Sequence, residues 1–318
     1  AMAPDLQTTF TASERFSLVG DEWALVRAGT HTVADYMTIA AGFGHEESST
    51  VFEEVSARLA FIHDYLTTTA TREPFERFLQ QLVGPAFDAL GFTPAPGEDD
   101  DQRALRADLI SFLGGPANDL NIGPTAQATL ERVLLGDAEL DPTAADAVVH
   151  VAARHGDAGL WDRFLAASKA ATSPSEQYRY LYALPTFENR TLIDRGLNFA
   201  LTPELRSQDT PQFLSRFLSN AAARDRAWTF IKAHWTELEP KITISLGDVY
   251  FANSLGSFCD AASRDDITAF FRAHKLPAAS RTLDQTLERI NNCIAIKDKQ
   301  TASLTRWMST AGAGQPLK

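Results

Sequence analysis

The amino-acid sequence predicts an all-α protein, and three observations lead to this fold class. Apolar residues recur every three or four positions through most of the chain, as they do on one face of an α-helix. Helix start signals precede several of these segments, whereas alternating strand-like patterns are scarce. Because one antiparallel helix pair takes about 40 residues, we expect about 16 helices stacked in antiparallel pairs as one α-superhelix, or solenoid.

The apolar stripes define the individual helices. The apolar positions between residues 51 and 66 are spaced by four, four, three and four residues, which places them on one helix face. Similar stripes occupy residues 75–90, 105–113, 228–238 and 283–308. We expect each stripe to pack against a core and the intervening polar positions to face solvent.

Proline and glycine mark where the helices begin and end. The sequence Ser173-Pro174-Ser175-Glu176 is a capping box with proline at the first helical position. Similar cap-and-proline pairs are Asp141-Pro142, Thr202-Pro203 and Thr210-Pro211. Typical helix stops are Gly91, Gly114, Gly136 and Gly156.

Two segments interrupt the helical pattern. Residues 242–246 alternate as a strand does, but five residues suit a connector equally well. The acidic run that ends the segment 94–101 indicates a solvated turn leading into a helix, because carboxylates are favourable at a helix N-terminus. A calcium loop would need spaced oxygen ligands, which this run does not have.

Composition limits the classes of partner. The 318 residues include 41 acidic and 29 basic side chains, which give a formal net charge of −12. Nucleic acids and anionic membranes attract cationic surfaces, so neither is an expected partner. No apolar run approaches the ~20 residues that cross a bilayer. Composition therefore indicates an acidic globular protein.

One segment begins like a zinc-peptidase motif. In His-Glu-x-x-His, two histidines on one helix face bind zinc and the glutamate acts as general base. The sequence Gly44-His45-Glu46-Glu47-Ser48-Ser49 has serine at the second histidine position, so we expect Glu46 and Glu47 to lie near a helix start instead. His150 and His155 are five positions apart, a spacing that directs them to different helix faces.

No other pattern nominates a catalytic residue. Cys259 and Cys293 are too few for a disulfide framework or a four-cysteine zinc site, and their apolar surroundings favour inert core thiols. Phosphate-binding, dinucleotide-binding and nucleophile-elbow motifs do not occur in the sequence. The five tryptophans lie on apolar stripes, which favours packing. We therefore assign no catalytic, cofactor-binding or metal-binding residue.

Several short motifs follow one another along the chain. They are an opening helix at 13–25 closed by Arg27-Ala28-Gly29, the pair Gly97-Glu98 with Leu105-Arg106, the pair Gly156-Asp157 with Trp161-Asp162, the step Arg206-Ser207-Gln208-Asp209, and Asn220 followed by 224–235. In this order they resemble the C-terminal helical domain of the zinc metallopeptidase family that includes aminopeptidase N and the puromycin-sensitive and endoplasmic-reticulum aminopeptidases.

The resemblance implies a HEAT- or armadillo-like α-superhelix that closes over a catalytic cleft, shapes an internal chamber and limits access. The family's zinc site and substrate loop lie in an earlier catalytic domain and are not in this sequence. The implied function is a non-catalytic lid and substrate-chamber domain of a zinc-dependent aminopeptidase that removes N-terminal residues from peptides. This chain should be inactive alone. Its expected partners are the catalytic domain of the same polypeptide, which would hold the zinc, and the peptide substrate.

The resemblance also sets the expected domain boundaries. The chain begins Ala1-Met2-Ala3, which we interpret as a tag remnant at 1–3. Residues 4–318 are expected to form a single α-solenoid domain, the C-terminal domain of a larger aminopeptidase. Few cysteines and no visible leader favour a cytoplasmic location.

Two other functions stay open from the sequence. A freestanding α-solenoid scaffold would bind a protein partner other than an aminopeptidase module. An independent hydrolase would use a Ser-His-Asp triad assembled from distant residues, which no local motif reveals. Such an enzyme would turn over ester or peptide substrates by itself, insensitive to chelators.

Overall fold

The computed structural model describes residues 6–311, and all regular secondary structure in this range is helical. The described range contains 17 α-helices, four short 3₁₀ turns and one π-helical turn, and it contains no strand. The prediction of an all-α protein is confirmed. Residues 1–3, interpreted as a tag remnant, lie outside the described residues.

The helices are numbered in chain order. In the first half they are α1 (Leu6–Thr9), α2 (Ala12–Ala28), α3 (Val33–Ala40), α4 (Ser49–Phe61), α5 (Arg72–Leu90), α6 (Asp100–Gly114), α7 (Ile122–Leu134) and α8 (Ala145–Arg154). In the second half they are α9 (Ala158–Ala170), α10 (Pro174–Ala183), α11 (Arg190–Phe199), α12 (Thr210–Ser219), α13 (Arg224–Ala233), α14 (Trp235–Ile242), α15 (Gly247–Ser254), α16 (Ala261–Ala273) and α17 (Ser280–Ala311). Within the described range, no helix is both long and apolar enough to cross a membrane.

The chain divides into two compact units. Unit 1 comprises residues up to 152 together with residues from 296 onward, and unit 2 comprises residues 153–295. Unit 1 is therefore discontinuous in sequence, because the second half of α17 belongs to it. The single solenoid domain over residues 4–318 stays a prediction.

The core of unit 1 comes from the apolar stripes of its helices. Helix α4 contacts both α2 and α6, and α6 also contacts α5 and α7. Leu59, Leu79 and Leu109 are fully buried in this core. Burial of such a side chain contributes about 1.5–3 kcal/mol relative to exposure, so the stripes decide which face of each helix turns inward.

The core of unit 2 is rich in aromatic side chains. The ring of Trp235 contacts Phe251, Phe270 and Phe271, with centroid separations of 6.1, 5.1 and 5.8 Å. Trp228 packs edge-on against Phe270 at 5.2 Å. Aromatic pairs of this kind add about 0.5–1.5 kcal/mol to the effect of burial.

The structure confirms some predicted helix starts and corrects others. Ser173 caps α10, because its hydroxyl accepts a hydrogen bond from the Glu176 amide at 3.3 Å, and Pro174 occupies the first helical position. Asp141 accepts two backbone amides of a turn, and α8 begins only after that turn. Thr202 also lies in a turn and starts no helix. The Thr202 hydroxyl donates to the Phe199 carbonyl at 2.8 Å. Asp and Thr are common in turns as well as at helix starts, so the local sequence signal is the same.

A buried arginine satisfies the carbonyl groups at the C-terminus of α5. Arg106 of α6 is only 1% exposed and donates to the carbonyls of Leu90 and Gly91, each at 3.0 Å. Its guanidinium also forms a two-point ion pair with Glu98. Hydrogen bonding from Arg106 lowers the pKa of Glu98 below its usual value. The motif Gly97-Glu98 with Leu105-Arg106 therefore joins α5 to α6.

Two side chains do similar work in unit 2. The side-chain amide of Asn220 donates to the Pro185 carbonyl at 2.9 Å, in the turn that follows α10. The Lys241 ammonium of α14 donates to the Ala200 carbonyl at 3.0 Å, at the end of α11. Both contacts fix a helix end against a distant part of the sequence.

Gln300 of α17 fixes the corner between α2 and α3 in unit 1. Its buried side-chain oxygen accepts the Val33 amide at 2.9 Å. Its side-chain nitrogen donates to the carbonyls of His31 and Val26 at 3.2 and 3.3 Å. The Val33 amide lies in the first turn of α3, where no carbonyl of the same helix is available. Helix α17 thus supplies its partner.

A disulfide bond joins Cys259 and Cys293, whose Cα atoms are 5.4 Å apart. The expectation of two inert core thiols is therefore wrong. Both residues are buried, as the apolar pattern indicated, but a separation of 34 positions gave no local signal that they meet. The bond ties the segment before α16 to α17.

Residues 242–246 form a connector and not a strand. Ile242 ends α14, and Ile244–Leu246 is a 3₁₀ turn. Ser245 and Leu246 have φ angles of 51° and 64°, in the left-handed region. Ile244 and Leu246 are exposed, so the alternation does not mark a buried face.

Replacing Gln300 by leucine is expected to lower the free energy of unfolding by about 2 kcal/mol, because the buried Val33 amide would lose its acceptor. Gln285→Leu, at an exposed position of the same helix, is the matched control and should change this free energy by less than about 0.5 kcal/mol. Urea denaturation measures both variants. Equal stability of the two would show that the Val33 amide does not depend on Gln300.

Loss of the disulfide is expected to lower the free energy of unfolding by about 2–4 kcal/mol, since the cross-link restricts the unfolded chain. Thermal melting with and without reductant measures the effect. The Cys259→Ser/Cys293→Ser variant, which has no bond to reduce, is the control and should melt identically in both conditions. If thiol reagents label Cys259 or Cys293 of the unmutated protein before reduction, the pairing is contradicted.

Candidate functional site

A cavity of about 560 Å³ lies in unit 1. Its lining comes from α2, the segment before α4, the C-terminal part of α5 and the start of α6. Helix α5 contributes apolar side chains, and the other segments contribute the charged ones. The charged and ionisable lining residues are Arg15, His45, Glu46, Glu47, Asp99 and Asp101.

A buried ion pair between Arg15 and Glu46 forms one wall of this cavity. Two guanidinium nitrogens of Arg15 donate to the two carboxylate oxygens of Glu46, at 2.8 and 2.6 Å. The third donates to the Phe10 carbonyl at 2.8 Å. Hydrogen bonding to Glu46 raises the pKa of Arg15. The pair holds α2 against the segment that precedes α4.

The glutamate of the zinc-like motif, Glu46, is the partner of Arg15 in this ion pair. Glu46 also accepts the amide of Ser48 at 3.0 Å, so its carboxylate is engaged by Arg15 and by local backbone. His45 is exposed, and Ser49, at the second histidine position, hydrogen-bonds to Asp101. Helix α4 begins at Ser49, which confirms the expected placement of Glu46 near a helix start. Ser48 occupies the cap position, but its side chain makes no capping hydrogen bond.

The acidic run before α6 is a turn and helix cap, as the sequence indicated. The Asp99 carboxylate accepts the Gln102 amide at 2.9 Å, and the Gln102 side chain accepts the Asp99 amide at 3.1 Å. Asp101 accepts the Ser49 amide at 3.2 Å and so joins α6 to α4. These carboxylates therefore have structural uses at the positive end of α6.

Asp108 is a half-buried carboxyl group on α6. Burial raises its pKa to about 6, and the negative charges of Glu53 and Asp101 contribute in the same direction. An unperturbed aspartate is ionised above about pH 4. The charge of Asp108 therefore changes near pH 6, within the electrostatic reach of Asp101 in the cavity wall.

A stacked tyrosine pair lies on α10 in unit 2. The rings of Tyr178 and Tyr182 are almost parallel, with centroids 5.1 Å apart and 10° between their planes. The Arg206 guanidinium is 5.8 Å from the Tyr178 ring, and the Arg216 guanidinium is 4.9 Å from the Tyr182 ring. Cation–π contacts stabilise such an arrangement by about 0.5–1 kcal/mol each near a surface.

Asp209 anchors this network. Its buried carboxylate accepts a hydrogen bond from Arg206 at 2.7 Å and from the Tyr178 hydroxyl at 3.2 Å. The hydrogen bond to Asp209 raises the pKa of Arg206, and burial raises the pKa of Tyr182. Tyr182 is therefore uncharged at neutral pH. The step Arg206–Asp209 fixes the segment before α12 to α10.

His150 and His155 do not share a helix. His150 is half-buried on α8. His155 follows the end of α8, is exposed, and lies 3.8 Å from the Glu188 carboxylate. Among the described residues, no group of three or more His, Cys, Asp or Glu side chains is arranged to hold a metal ion.

The tryptophans pack, as the apolar stripes predicted. Trp23, Trp161, Trp228 and Trp235 are between 1% and 6% exposed. Trp307 is half-buried and packs edge-on against Phe78 at 5.0 Å.

Sequence reasoning missed Asp108 and the tyrosine network, although both follow helical spacing. Asp108 stands three positions after the buried Leu105 and four before the buried Phe112, so it falls on the apolar face of α6. Tyr178 and Tyr182 are four positions apart on α10, which places one ring beside the other. A carboxylate within an apolar stripe was the available signal for a shifted pKa.

These observations define a helical domain in which the polar clusters of the described residues hold helices together. A sequence model of the ERAP1-like C-terminal domain family matches residues 1–292, most of the chain. The protein therefore belongs to this family, and the family resemblance found in the motifs is confirmed.

The curated relatives are aminopeptidases. The protein is 25% identical over 316 residues to endoplasmic reticulum aminopeptidase 2 from Homo sapiens, a match that covers 95% of this chain and 32% of the relative. It is 22% identical over 289 residues to aminopeptidase M1-A from Oryza sativa subsp. japonica, with 88% and 32% covered. It is 24% identical over 295 residues to alanine/arginine aminopeptidase from Saccharomyces cerevisiae, with 89% and 33% covered. The chain spans about a third of the length of these relatives.

Replacing Asp108 by asparagine is expected to stabilise the protein at pH 7.5 and to have no effect near pH 4. The folded state holds the Asp108 proton up to about pH 6, whereas the unfolded chain loses it near pH 4, so this group lowers stability as pH rises between these values. After allowance for solvent screening at this half-buried site, the gain at pH 7.5 is about 1 kcal/mol.

Urea denaturation at both pH values measures the effect of Asp108. Asp88→Asn, at an exposed position on α5, is the matched control and should show the same small change at both pH values. A pH-independent effect of Asp108→Asn would contradict the raised pKa.

Proposed function

We propose that this chain is the non-catalytic C-terminal domain of a zinc-dependent aminopeptidase that removes N-terminal residues from peptides. One observation carries the proposal: nearly the whole chain aligns, but with only about a third of each aminopeptidase. A catalytic centre in the remaining part of the polypeptide accounts for this extent of similarity. The catalytic domain of the same polypeptide and the peptide substrate are then the partners of this chain.

The zinc ion of the proposed enzyme belongs to that catalytic portion. The only zinc-like motif of this chain does not fit a metal, because Glu46 is engaged by Arg15 and the second histidine position is Ser49. The contribution of this chain is therefore to bind and enclose the peptide while the reaction takes place elsewhere.

The proposal includes a HEAT- or armadillo-like stacking of helix pairs. Within unit 1, α4 contacts both α2 and α6, so alternate helices are neighbours, as in stacked pairs. Stacked pairs present equivalent helices side by side, and such a surface can accommodate an extended peptide. A domain of this kind would act as a lid and as one wall of a substrate chamber.

A freestanding scaffold is the less favoured function. The three relatives described above are all aminopeptidases, and each carries the matching region as about a third of its length. A scaffold with no enzymatic partner would not need this similarity.

The compartment of the protein is open to a direct measurement. The cytoplasmic location expected from the low cysteine content stays a prediction. The Cys259–Cys293 disulfide bears on it, because structural disulfides are rare in the cytosol and persist in oxidising compartments. The redox state of these two cysteines in the cell decides between the two kinds of compartment.

Adding this chain to the separately produced catalytic portion is expected to change how turnover depends on peptide length, because the domain would restrict access to the active site. A graded series of peptides, assayed for release of the N-terminal residue, measures this dependence. An unrelated helical protein of similar size is the control.

Two results would contradict the proposed function. One is release of N-terminal residues by this chain alone. The other is a length dependence that stays the same when the chain is added, provided that the catalytic portion is active.

A further inference from the structure

In the described part of unit 2, the exposed large hydrophobic residues all fall within one short segment. Ile244, Leu246 and Tyr250 are 38%, 66% and 65% exposed. We refer to this stretch as the apolar segment 244–250. Apolar residues scattered singly on a surface are ordinary, whereas a cluster of them marks an interaction site.

The apolar segment 244–250 is held in one conformation from both sides. Ile242, just before it, is fully buried. Gly247 lies so close to α12 that a Cβ atom there would be 2.4 Å from the Pro211 ring. The exposed side chains are therefore presented on a fixed turn.

The backbone of this turn is strained. Ser245 and Leu246 have φ angles of 51° and 64°. In this left-handed region the Cβ atom of an ordinary residue crowds the backbone, and a bulky residue such as leucine is rarely found there. Backbone strain and exposed apolar side chains both make this turn unfavourable when no partner covers it. Strained backbone that persists in a protein is concentrated at functional sites.

The lack of free charge around the apolar segment 244–250 indicates an apolar partner. Residues 243–247 are uncharged, the Lys241 ammonium is hydrogen-bonded to carbonyls at the end of α11, and Asp248 is buried. A neutral surface on a chain of net charge −12 does not attract nucleic acid or anionic lipid. It fits an apolar protein surface.

The small area of the apolar segment 244–250 indicates that its partner belongs to the same polypeptide. Stable complexes between separate proteins bury about 800 Å² per partner, which is more than three side chains supply. Domains of one polypeptide dock through smaller surfaces, because the covalent link keeps them at a high effective concentration.

We propose that the apolar segment 244–250 is a docking surface for an apolar patch on the catalytic portion of the same aminopeptidase polypeptide. This inference rests on the proposed function. The turn holds Leu246 and Tyr250 in place, and docking covers them and offsets the strain of residues 245 and 246.

Hydroxyl-radical footprinting with mass spectrometry tests the proposal by comparing the isolated chain with the full aminopeptidase polypeptide. Labelling of Tyr250 is expected to fall about fivefold or more in the full polypeptide, as its exposed fraction drops from 65% to that of a core residue. Leu135, which is 71% exposed in unit 1, serves as the internal reference.

A glycine variant separates docking from folding. Leu246→Gly removes the apolar side chain and relieves the left-handed strain, so the isolated chain should melt at the same or a higher temperature. In the full polypeptide this variant should restore the labelling of Tyr250, whereas Leu135→Gly should leave Tyr250 protected.

The outcomes for docking and for function are distinguishable. Equal labelling of Tyr250 in the isolated chain and in an active full polypeptide would overturn the docking surface and leave the proposed function standing. Protection of Tyr250 that rises with the concentration of the isolated chain would identify a second copy as the occupant and would also overturn it. A full polypeptide without aminopeptidase turnover would overturn the proposed function and, with it, the inference.

Discussion

Every helix end leaves backbone groups without partners in the same helix, and a chain with this many short helices must satisfy all of them. Here side chains from distant parts of the sequence supply the partners: Arg106 donates at the end of α5, Lys241 at the end of α11, and Gln300 binds both sides of the corner before α3. A buried amide or carbonyl without such a partner costs about 1–3 kcal/mol. Each of these contacts therefore fixes one helix against another at a defined place, which apolar stripes alone do not do.

Contacts of the same kind account for several of the motifs by which the chain resembles its family. Glu98 and Arg106 join two helices, and Arg206 with Asp209 fixes a turn beneath the stacked tyrosines. Glu46, which looks like a catalytic glutamate in the sequence, neutralises the buried Arg15. A buried arginine needs a carboxylate, and removing either partner leaves an uncompensated charge. In this chain the residues at these positions form structural ion pairs.

Helical periodicity was enough to predict the fold class, because an apolar stripe at 3.6-residue spacing has only one regular solution. It predicted the burial of the tryptophans for the same reason. It could not pair Cys259 with Cys293, since their meeting depends on how α17 packs in unit 2. It could not separate the cap at Ser173 from the turns at Asp141 and Thr202, because Asp and Thr followed by proline occur in turns as well as at helix starts. The alternation at 242–246 left a strand and a connector equally open, because a local pattern does not describe the left-handed backbone at Ser245 and Leu246 that makes this segment a turn.

Unit 1 is built from the two extremities of the described sequence, with unit 2 encoded between them. A ribosome therefore releases α1 to α7 long before Gln300 and Trp307 exist. Until then the Val33 amide has no acceptor from α17, and Phe78 lacks the ring that packs against it. An incomplete unit of this kind exposes apolar surface, to which chaperones bind and through which chains aggregate. A stop codon between α7 and α17 would therefore leave helices α1 to α7 without the contacts that α17 supplies to unit 1.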